Sequence, residues 1–169
     1  MKLRYKILKD EIIIGEKIIN VDKDDHLIKI SIYTNMIGKK NKIYIIRDTN
    51  FNLKSVEYLG DNKNISIKQS VHDCYEIISD NKLFIKGNFY LDDEIKFIPE
   101  IIKNIDGFIN TLWIDNFKIL PYRIQNKNNS YNILAPEYSY IKYNKDKLYT
   151  EYYENLLNNI KIEFLNLGG

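Results

Sequence analysis

Residues 28–48 read IKISIYTNMIGKKNKIYIIRD, and this stretch decides the fold class. Isoleucines alternate with polar or aromatic residues over 28–33 and again over 43–46, on either side of a turn around Gly38. Alternation with a period of two predicts strands with one buried face. Because the connection between them is short, the two strands are predicted to pair antiparallel as a hairpin.

The same pattern extends over most of the chain. Apolar residues alternate between short clusters of Gly, Asn, Asp and Lys, which are typical of turns. Since the gaps are too short for crossover connections, the pattern predicts an antiparallel meander that forms a curved sheet or half-barrel. The predicted strands lie near 3–7, 11–20, 28–33, 42–48, 53–59, 64–71, 75–79, 82–87, 117–125, 131–134, 137–143 and 160–165.

One stretch has helical spacing instead. Apolar residues from Ile98 to Leu112 recur every three or four positions, and Pro99 stands where a first helical turn tolerates proline. This predicts one long helix over about 99–110, packed on the sheet. Its buried face would consist of Ile101, Ile102, Ile105 and Ile109. A short second helix is predicted near 149–158. The predicted fold class is therefore mainly β, of the α+β type.

Length and composition limit the class of protein. The chain has 169 residues, 44% of them hydrophobic and 28% charged, which predicts one globular domain over 1–169. The net charge of +2 gives no basic face for a polyanion, so no nucleic-acid partner is expected. Cys74 is the single cysteine, which excludes an intramolecular disulfide. No transmembrane or export segment is recognised, so a soluble, cytoplasmic protein is expected.

Motifs for known chemistries are missing from the sequence. It contains no glycine-rich phosphate loop, no nucleophile elbow and no paired Cys-x-x-Cys. His72-Asp73-Cys74 is the one cluster of reactive residue types, and a strand end with a surface histidine explains it without chemistry. We therefore predict no catalytic residue, no metal site and no cofactor.

Arginines and aromatic residues are the candidates for binding a small ligand. Arg47 and Arg123 lie in apolar strand contexts, where a guanidinium group either anchors an anionic ligand or pairs with a carboxylate. Aromatic residues crowd the C-terminal third, and such side chains line pockets for amphiphilic ligands or simply serve as strand residues. The candidate ligand-binding residues are Arg47, Trp113, Tyr122, Arg123, Tyr138 and Tyr140.

The layout also resembles known families. It is similar to the curved antiparallel sheets, wrapped on a helix, of LolA-like lipoprotein carriers, of the bacterial domain family DUF3108 and of glycolipid-binding proteins. The resemblance implies a fold and carries no ligand or residue role. The segments that carry it are Tyr5, Gly15-Glu16, the strands 28–34 and 43–48, and the tract Leu112-Trp113-Ile114-Asp115 with Leu120-Pro121.

Two functional hypotheses follow. The first is a non-enzymatic binding module that holds a small apolar or amphiphilic ligand between the sheet and the long helix. The alternative is a protein–protein interaction or scaffold subunit, which uses a tyrosine-rich face and binds another protein or a second copy of the chain. An enzyme is the weaker third reading, because the motifs of known chemistries are missing.

Overall fold

A computed structural model of the chain describes residues 1–114 and 116–167. Asp115, which belongs to the tract used for the resemblance, lies outside the described residues, as do Gly168 and Gly169. The described part of the chain contains two short helices, α1 (Asp92–Phe97) and α2 (Pro99–Ile102), and fifteen strands. The strands are β1 (Lys2–Lys9), β2 (Ile12–Lys23), β3 (Leu27–Met36), β4 (Lys39–Asp48), β5 (Leu53–Gly60), β6 (Asn64–Val71), β7 (Cys74–Ile78), β8 (Lys82–Lys86), β9 (Tyr90–Leu91), β10 (Gly107–Trp113), β11 (Lys118–Lys127), β12 (Ser130–Ala135), β13 (Ser139–Asn144), β14 (Tyr149–Asn155) and β15 (Ile160–Leu167).

The residues group into two compact units. Unit 1 comprises residues 1–5, 15–88 and 165–167. Its strands from β2 to β8 follow one another in chain order, and each pairs antiparallel with the next. Because side chains alternate between the two sides of a strand, one face of this meander collects the apolar residues. The buried face includes Ile19, Val21, Ile30, Ile32, Ile43, Ile45, Val56, Ile65, Ile67 and Ile77.

Unit 2 comprises residues 6–14 and 89–164. Its strand order is β15-β14-β13-β12-β11-β10-β9, antiparallel throughout except that the two-residue β9 runs parallel to β10. Both helices pack against β14, and α1 also contacts β10. The buried side chains include Ile95, Phe97, Ile102, Ile109, Leu112, Tyr122, Ile124, Tyr131, Ile133, Ile141 and Tyr153.

The predicted antiparallel strands are confirmed, but the predicted long helix is wrong. Helical structure ends at Ile102, and residues 107–113 form β10 instead. Gly107 has a φ of 144°, a backbone conformation that glycine alone adopts readily, and it is the first residue of β10. In β10 the residues alternate, with Phe108 69% exposed and Ile109 7% exposed. The apolar spacing that suggested a helix therefore belongs to two short helical turns followed by a strand.

The predicted second helix and the predicted packing arrangement are also wrong. Residues 149–155 form β14, in agreement with the strand preference of tyrosine and threonine. No helix in the described residues reaches seven residues, so the sheet is not packed on one long helix. The terminal strands β8 and β9 each have a strand neighbour on one side only within the described chain, so the sheet is not closed.

Candidate functional site

A buried lysine lies in helix α1 of unit 2. Lys96 is in α1, and its side chain is only 10% exposed. Its ammonium group lies 2.8 Å from Asp92, one helical turn earlier, and 3.0 Å from Glu137, in the loop between β12 and β13. It also lies 5.0 Å from the ring centroid of Tyr153, within the range of a cation–π interaction. A buried charge is tolerated only when it is paired, and here two carboxylates pair with it.

Phenol and indole groups complete the hydrogen bonds around these carboxylates. The Tyr122 hydroxyl donates to Asp92 at 2.6 Å and accepts from the Trp113 indole N–H at 3.1 Å. The Tyr153 hydroxyl donates to Glu137 at 3.2 Å. We call the six residues the Lys96 cluster: Asp92, Lys96, Trp113, Tyr122, Glu137 and Tyr153.

The cluster shifts the pKa values of its members. Burial alone lowers the pKa of Lys96, but the carboxylates of Asp92 and Glu137 outweigh burial and hold this pKa well above the usual lysine value. Burial, followed by the adjacent Asp92 carboxylate, raises the pKa of Tyr122. Burial likewise raises the pKa of Tyr153. At neutral pH the cluster therefore contains an ammonium ion and two neutral phenols.

Strand side chains also fix the helix that carries Lys96. A helix leaves its last carbonyl groups without partners inside the helix. The Tyr131 hydroxyl donates to the Ile95 carbonyl at 2.6 Å, and the Thr150 hydroxyl donates to the Lys96 carbonyl at 2.7 Å. A lysine that is charged, paired and held this way is a poor nucleophile or base, because both roles need the neutral amine. The Lys96 cluster therefore anchors α1 to the sheet of unit 2.

The structure brings together two of the residues predicted to bind a ligand. Trp113 and Tyr122 meet in the Lys96 cluster. Arg123 follows Tyr122 in β11 and is exposed, so the two side chains point to opposite faces of the strand. Arg47 belongs to unit 1, where its fully buried guanidinium group donates to the Phe51 carbonyl at 2.9 Å.

The tyrosine-rich C-terminal third does not form a single face. Of the seven tyrosines between residues 131 and 153, four are buried inside unit 2 and three are at least partly accessible. Tyr140 and Tyr152 are half-buried and pack together at 6.4 Å between ring centroids, whereas Tyr138 is 49% exposed. The buried tyrosines are Tyr131, Tyr143, Tyr149 and Tyr153.

Exposed apolar side chains gather where two hairpins of unit 2 meet. The turn between β1 and β2 contacts the turn between β14 and β15. Asp10 accepts a hydrogen bond from the Asn159 side chain at 3.0 Å, and its N–H donates to the Asn159 carbonyl at 3.3 Å. Lys161 forms an ion pair with Glu11 beside them.

Five large apolar residues lie next to this junction. Ile12 and Ile13 follow the first turn, are 67% and 64% exposed, and as neighbours in β2 point to opposite faces of that strand. Leu156 and Leu157 lie in the second turn and are 47% and 74% exposed. The Leu156 N–H donates to the Tyr138 carbonyl at 3.0 Å, which brings the exposed Tyr138 beside them. We call these five residues the tip patch: Ile12, Ile13, Tyr138, Leu156 and Leu157.

The backbone of the tip is strained. Asp10, Glu11 and Asn159 have φ values of 50°, 65° and 55°, in the left-handed region that most side chains avoid. Positive φ at both residues of a two-residue connection is the pattern of a type I′ hairpin turn, which prefers Asn-Gly or Asp-Gly. The second position is a glutamate here. Phe51, Asp73, Phe117 and Leu148 also have positive φ values, so this conformation does not by itself single out the tip.

Two open recesses lie on the polar face of unit 1. One, of about 250 Å³, is lined by Asn20, Ser31, Tyr44 and Ile46 among others, and one, of about 290 Å³, by Tyr33, Lys42 and Leu59 among others. None of the six predicted ligand-binding residues lines either recess. The small-ligand hypothesis placed the ligand between the sheet and a long helix, and that helix is not formed. Ligand binding therefore stays a prediction.

The His72-Asp73-Cys74 cluster lies at the turn between β6 and β7. His72 and Asp73 connect β6 to β7, with the His72 side chain 91% exposed and Cys74 half-buried. Among the described residues, no three His, Cys, Asp or Glu side chains are placed to hold a metal ion. In the same part of the chain, no helix has the length and apolar character needed to cross a membrane.

Sequence reasoning missed both the Lys96 cluster and the tip patch. The spacing of Asp92 and Lys96 is that of a helical ion pair, and this was a usable signal. Glu137 offered none, because it lies 41 positions from Lys96. For the tip patch, the apolar pair Leu156-Leu157 directly before Asn158-Asn159 was a signal, since turns are usually polar.

Comparison of the chain with protein-family models, with curated proteins and with solved structures finds no match. The resemblance to LolA-like and glycolipid-binding proteins therefore stays a prediction.

Proposed function

We propose that the chain is a non-enzymatic protein-interaction subunit, which binds a partner protein through the tip patch of unit 2. The observation that carries this proposal is the exposure of five large apolar side chains around one hairpin junction. We infer that the exposed side chains around this junction form one apolar surface, and such a surface commonly marks an interaction site, whereas single exposed residues need no explanation. Leu157 and Ile12, with the largest exposed fractions, are the expected centre of the contact.

The charge around the patch favours a protein over an anionic membrane. Lys9 and Lys161 are balanced by Asp10 and Glu11, so the tip has no excess of basic residues. Binding to anionic lipid normally draws on clustered lysine and arginine. A mixed rim of charges around apolar anchors is instead typical of protein interfaces. The hydrogen bonds between the two turns also hold the turns together before binding, which lowers the entropy lost on association.

Photo-crosslinking tests the proposal. A photoreactive phenylalanine analogue replaces Leu157 in one variant and Ile37 in another, each expressed in the cells that encode the chain. Ile37 is the matched control because it is 79% exposed but lies alone in the turn between β3 and β4. We expect one discrete protein adduct from position 157 and none from position 37.

Binding of the purified adduct protein is then measured by calorimetry. Ile12→Asp and Leu157→Asp should each weaken binding about tenfold or more, as expected for central apolar anchors, whereas Ile37→Asp should not. Thermal melting should stay within about 1 °C for all three variants, because exposed side chains contribute little to stability. Equal crosslinking from both positions, or binding to lipid vesicles that the same two substitutions abolish, would refute the proposal.

A further inference from the structure

Strand β8 of unit 1 has a free edge. It pairs with β7 and has no second strand neighbour in the part of the chain that the structure describes. In an antiparallel ladder, alternate backbone N–H and C=O groups point away from the paired side. Such an edge is a template for one more strand, and proteins usually shorten, cover or charge it.

The side chains of β8 extend the apolar core of unit 1 to this edge. Leu83 lies opposite Ile77, and Ile85 lies opposite Tyr75; both partners in β7 are at most 1% exposed. Leu83 itself is 43% exposed, because no strand covers its outer side. A strand added beside β8 would therefore bury Leu83 and continue the same hydrophobic face.

The opposite face of β8 carries an aromatic residue between two lysines. Phe84 is 67% exposed, with the Lys82 ammonium group 5.6 Å from its ring centroid. Lys82 forms an ion pair with Glu76, while the exposed Lys86 lies opposite the uncharged Cys74. The edge therefore presents apolar side chains at its centre and a lysine at each end, of which Lys82 already has Glu76 as a partner.

The lysines of β8 distinguish between two possible binding partners of this edge, a second copy of the chain and a segment of another protein. If a second copy paired its own β8 antiparallel about Phe84, Lys82 of each chain would oppose Lys86 of the other. Like charges directly opposite each other destabilise a strand pair. A segment with apolar residues at its centre and Asp or Glu at both ends would instead form a favourable cross-strand pair at each end.

We propose that the β8 edge binds an extended segment of a partner protein as an added strand, and that this segment is apolar in the middle and acidic at both ends. This mode of recognition takes affinity from backbone hydrogen bonds and specificity from alternate side chains. The site lies in unit 1, so it is separate from the tip patch and stands whether or not that patch binds a protein.

Selection from a phage library of short random peptides on the intact chain tests this proposal. Counter-selection uses Phe84→Lys, a change at an exposed edge position that should leave folding intact. We expect the selected peptides to carry Asp or Glu on both sides of β-branched or aromatic residues. Bound peptide should slow amide hydrogen exchange in residues 82–86 and leave exchange in the tip patch unchanged.

Charge reversal supplies the control. Lys86→Glu should weaken binding of an acidic peptide about tenfold, because one attractive cross-strand pair becomes repulsive. A matched peptide with lysines at both ends should bind Lys86→Glu better than the unsubstituted chain. Lys39→Glu, at an exposed position in β4 away from the β8 edge, should have no effect. No enrichment of acidic-ended peptides, no protection of β8, or a dimer of the chain that Leu83→Asp dissociates would each overturn the proposal.

Discussion

Lys96→Met removes a buried cation and leaves two carboxylates facing an apolar side chain of similar length. Loss of one partner from a buried ion pair costs about 3–5 kcal/mol. The Asp92 side chain is 39% exposed, so water compensates much of its loss, whereas Glu137 is only 15% exposed. The Tyr122 and Tyr153 hydroxyls remain as donors and reduce the loss further. We therefore expect the free energy of unfolding to fall by about 3 kcal/mol, near the lower end of that range.

Urea denaturation followed by circular dichroism measures this change. For a chain of this size the midpoint should fall by about 1–2 M with an unchanged slope, and the melting temperature by about 6–12 °C. Lys142→Met is the matched control, since Lys142 and Glu151 form an ion pair whose side chains are 49% and 32% exposed. The control should lose less than about 0.5 kcal/mol.

A double substitution tests whether the loss of stability in Lys96→Met comes from the unpaired carboxylate of Glu137. Glu137→Gln keeps a hydrogen-bond acceptor for Ser139 and Tyr153 but removes the charge that Lys96→Met leaves unpaired. Lys96→Met combined with Glu137→Gln should therefore be more stable than the sum of the single substitutions predicts. If Lys96→Met lies within about 0.5 kcal/mol of the unsubstituted chain, or if the two substitutions are additive, the cluster does not anchor α1 by charge pairing.

Two further predictions concern pH and the tip. Raised folded-state pKa values for Lys96 and Tyr122 mean that the folded chain keeps protons that the unfolded chain loses above about pH 10. The contribution of Lys96 and Tyr122 to stability is thus complete below about pH 10 and falls as the pH rises further. The urea midpoint should therefore drop above about pH 10. A midpoint that stays level would contradict the raised pKa values of these two residues. Glu11→Gly should stabilise the chain by about 0.5–1 kcal/mol, because glycine relieves the φ of 65° and suits a type I′ turn. Glu11→Ala loses the same ion pair with Lys161 without that relief and should destabilise; equal melting temperatures for the two variants would show that the turn stores no strain.

The strands of unit 1 could be predicted from the sequence because each carries its own signal. Period-two alternation, as in 28–33 and 43–46, needs no information from elsewhere in the chain, and short polar gaps leave antiparallel hairpins as the favoured connection. The predicted strands 64–71 and 82–87 lie within one residue of β6 and β8. The alternation also indicated which side of each of these strands is buried.

The region from 98 to 113 was different, because helical spacing and strand alternation were both readable there. A helix this short gains most of its stability from tertiary packing, so local pattern alone could not decide where it ended. Gly107 was visible in the sequence as a weak point of the predicted helix. Only the tertiary structure showed that its φ of 144° starts β10.

The sequence by itself determined the residue types at the candidate sites, and the tertiary structure determined their neighbours. Trp113 and Tyr122 were predicted to bind a ligand on chemical type, yet Trp113 donates to Tyr122 and Tyr122 donates to Asp92, which places both in the anchor of α1. Glu137 reaches Lys96, and Leu156 reaches Tyr138, only because distant segments meet in the folded unit 2. Charge pairing and apolar clustering depend on distance in space, and pairing over such separations leaves no periodic trace in the sequence.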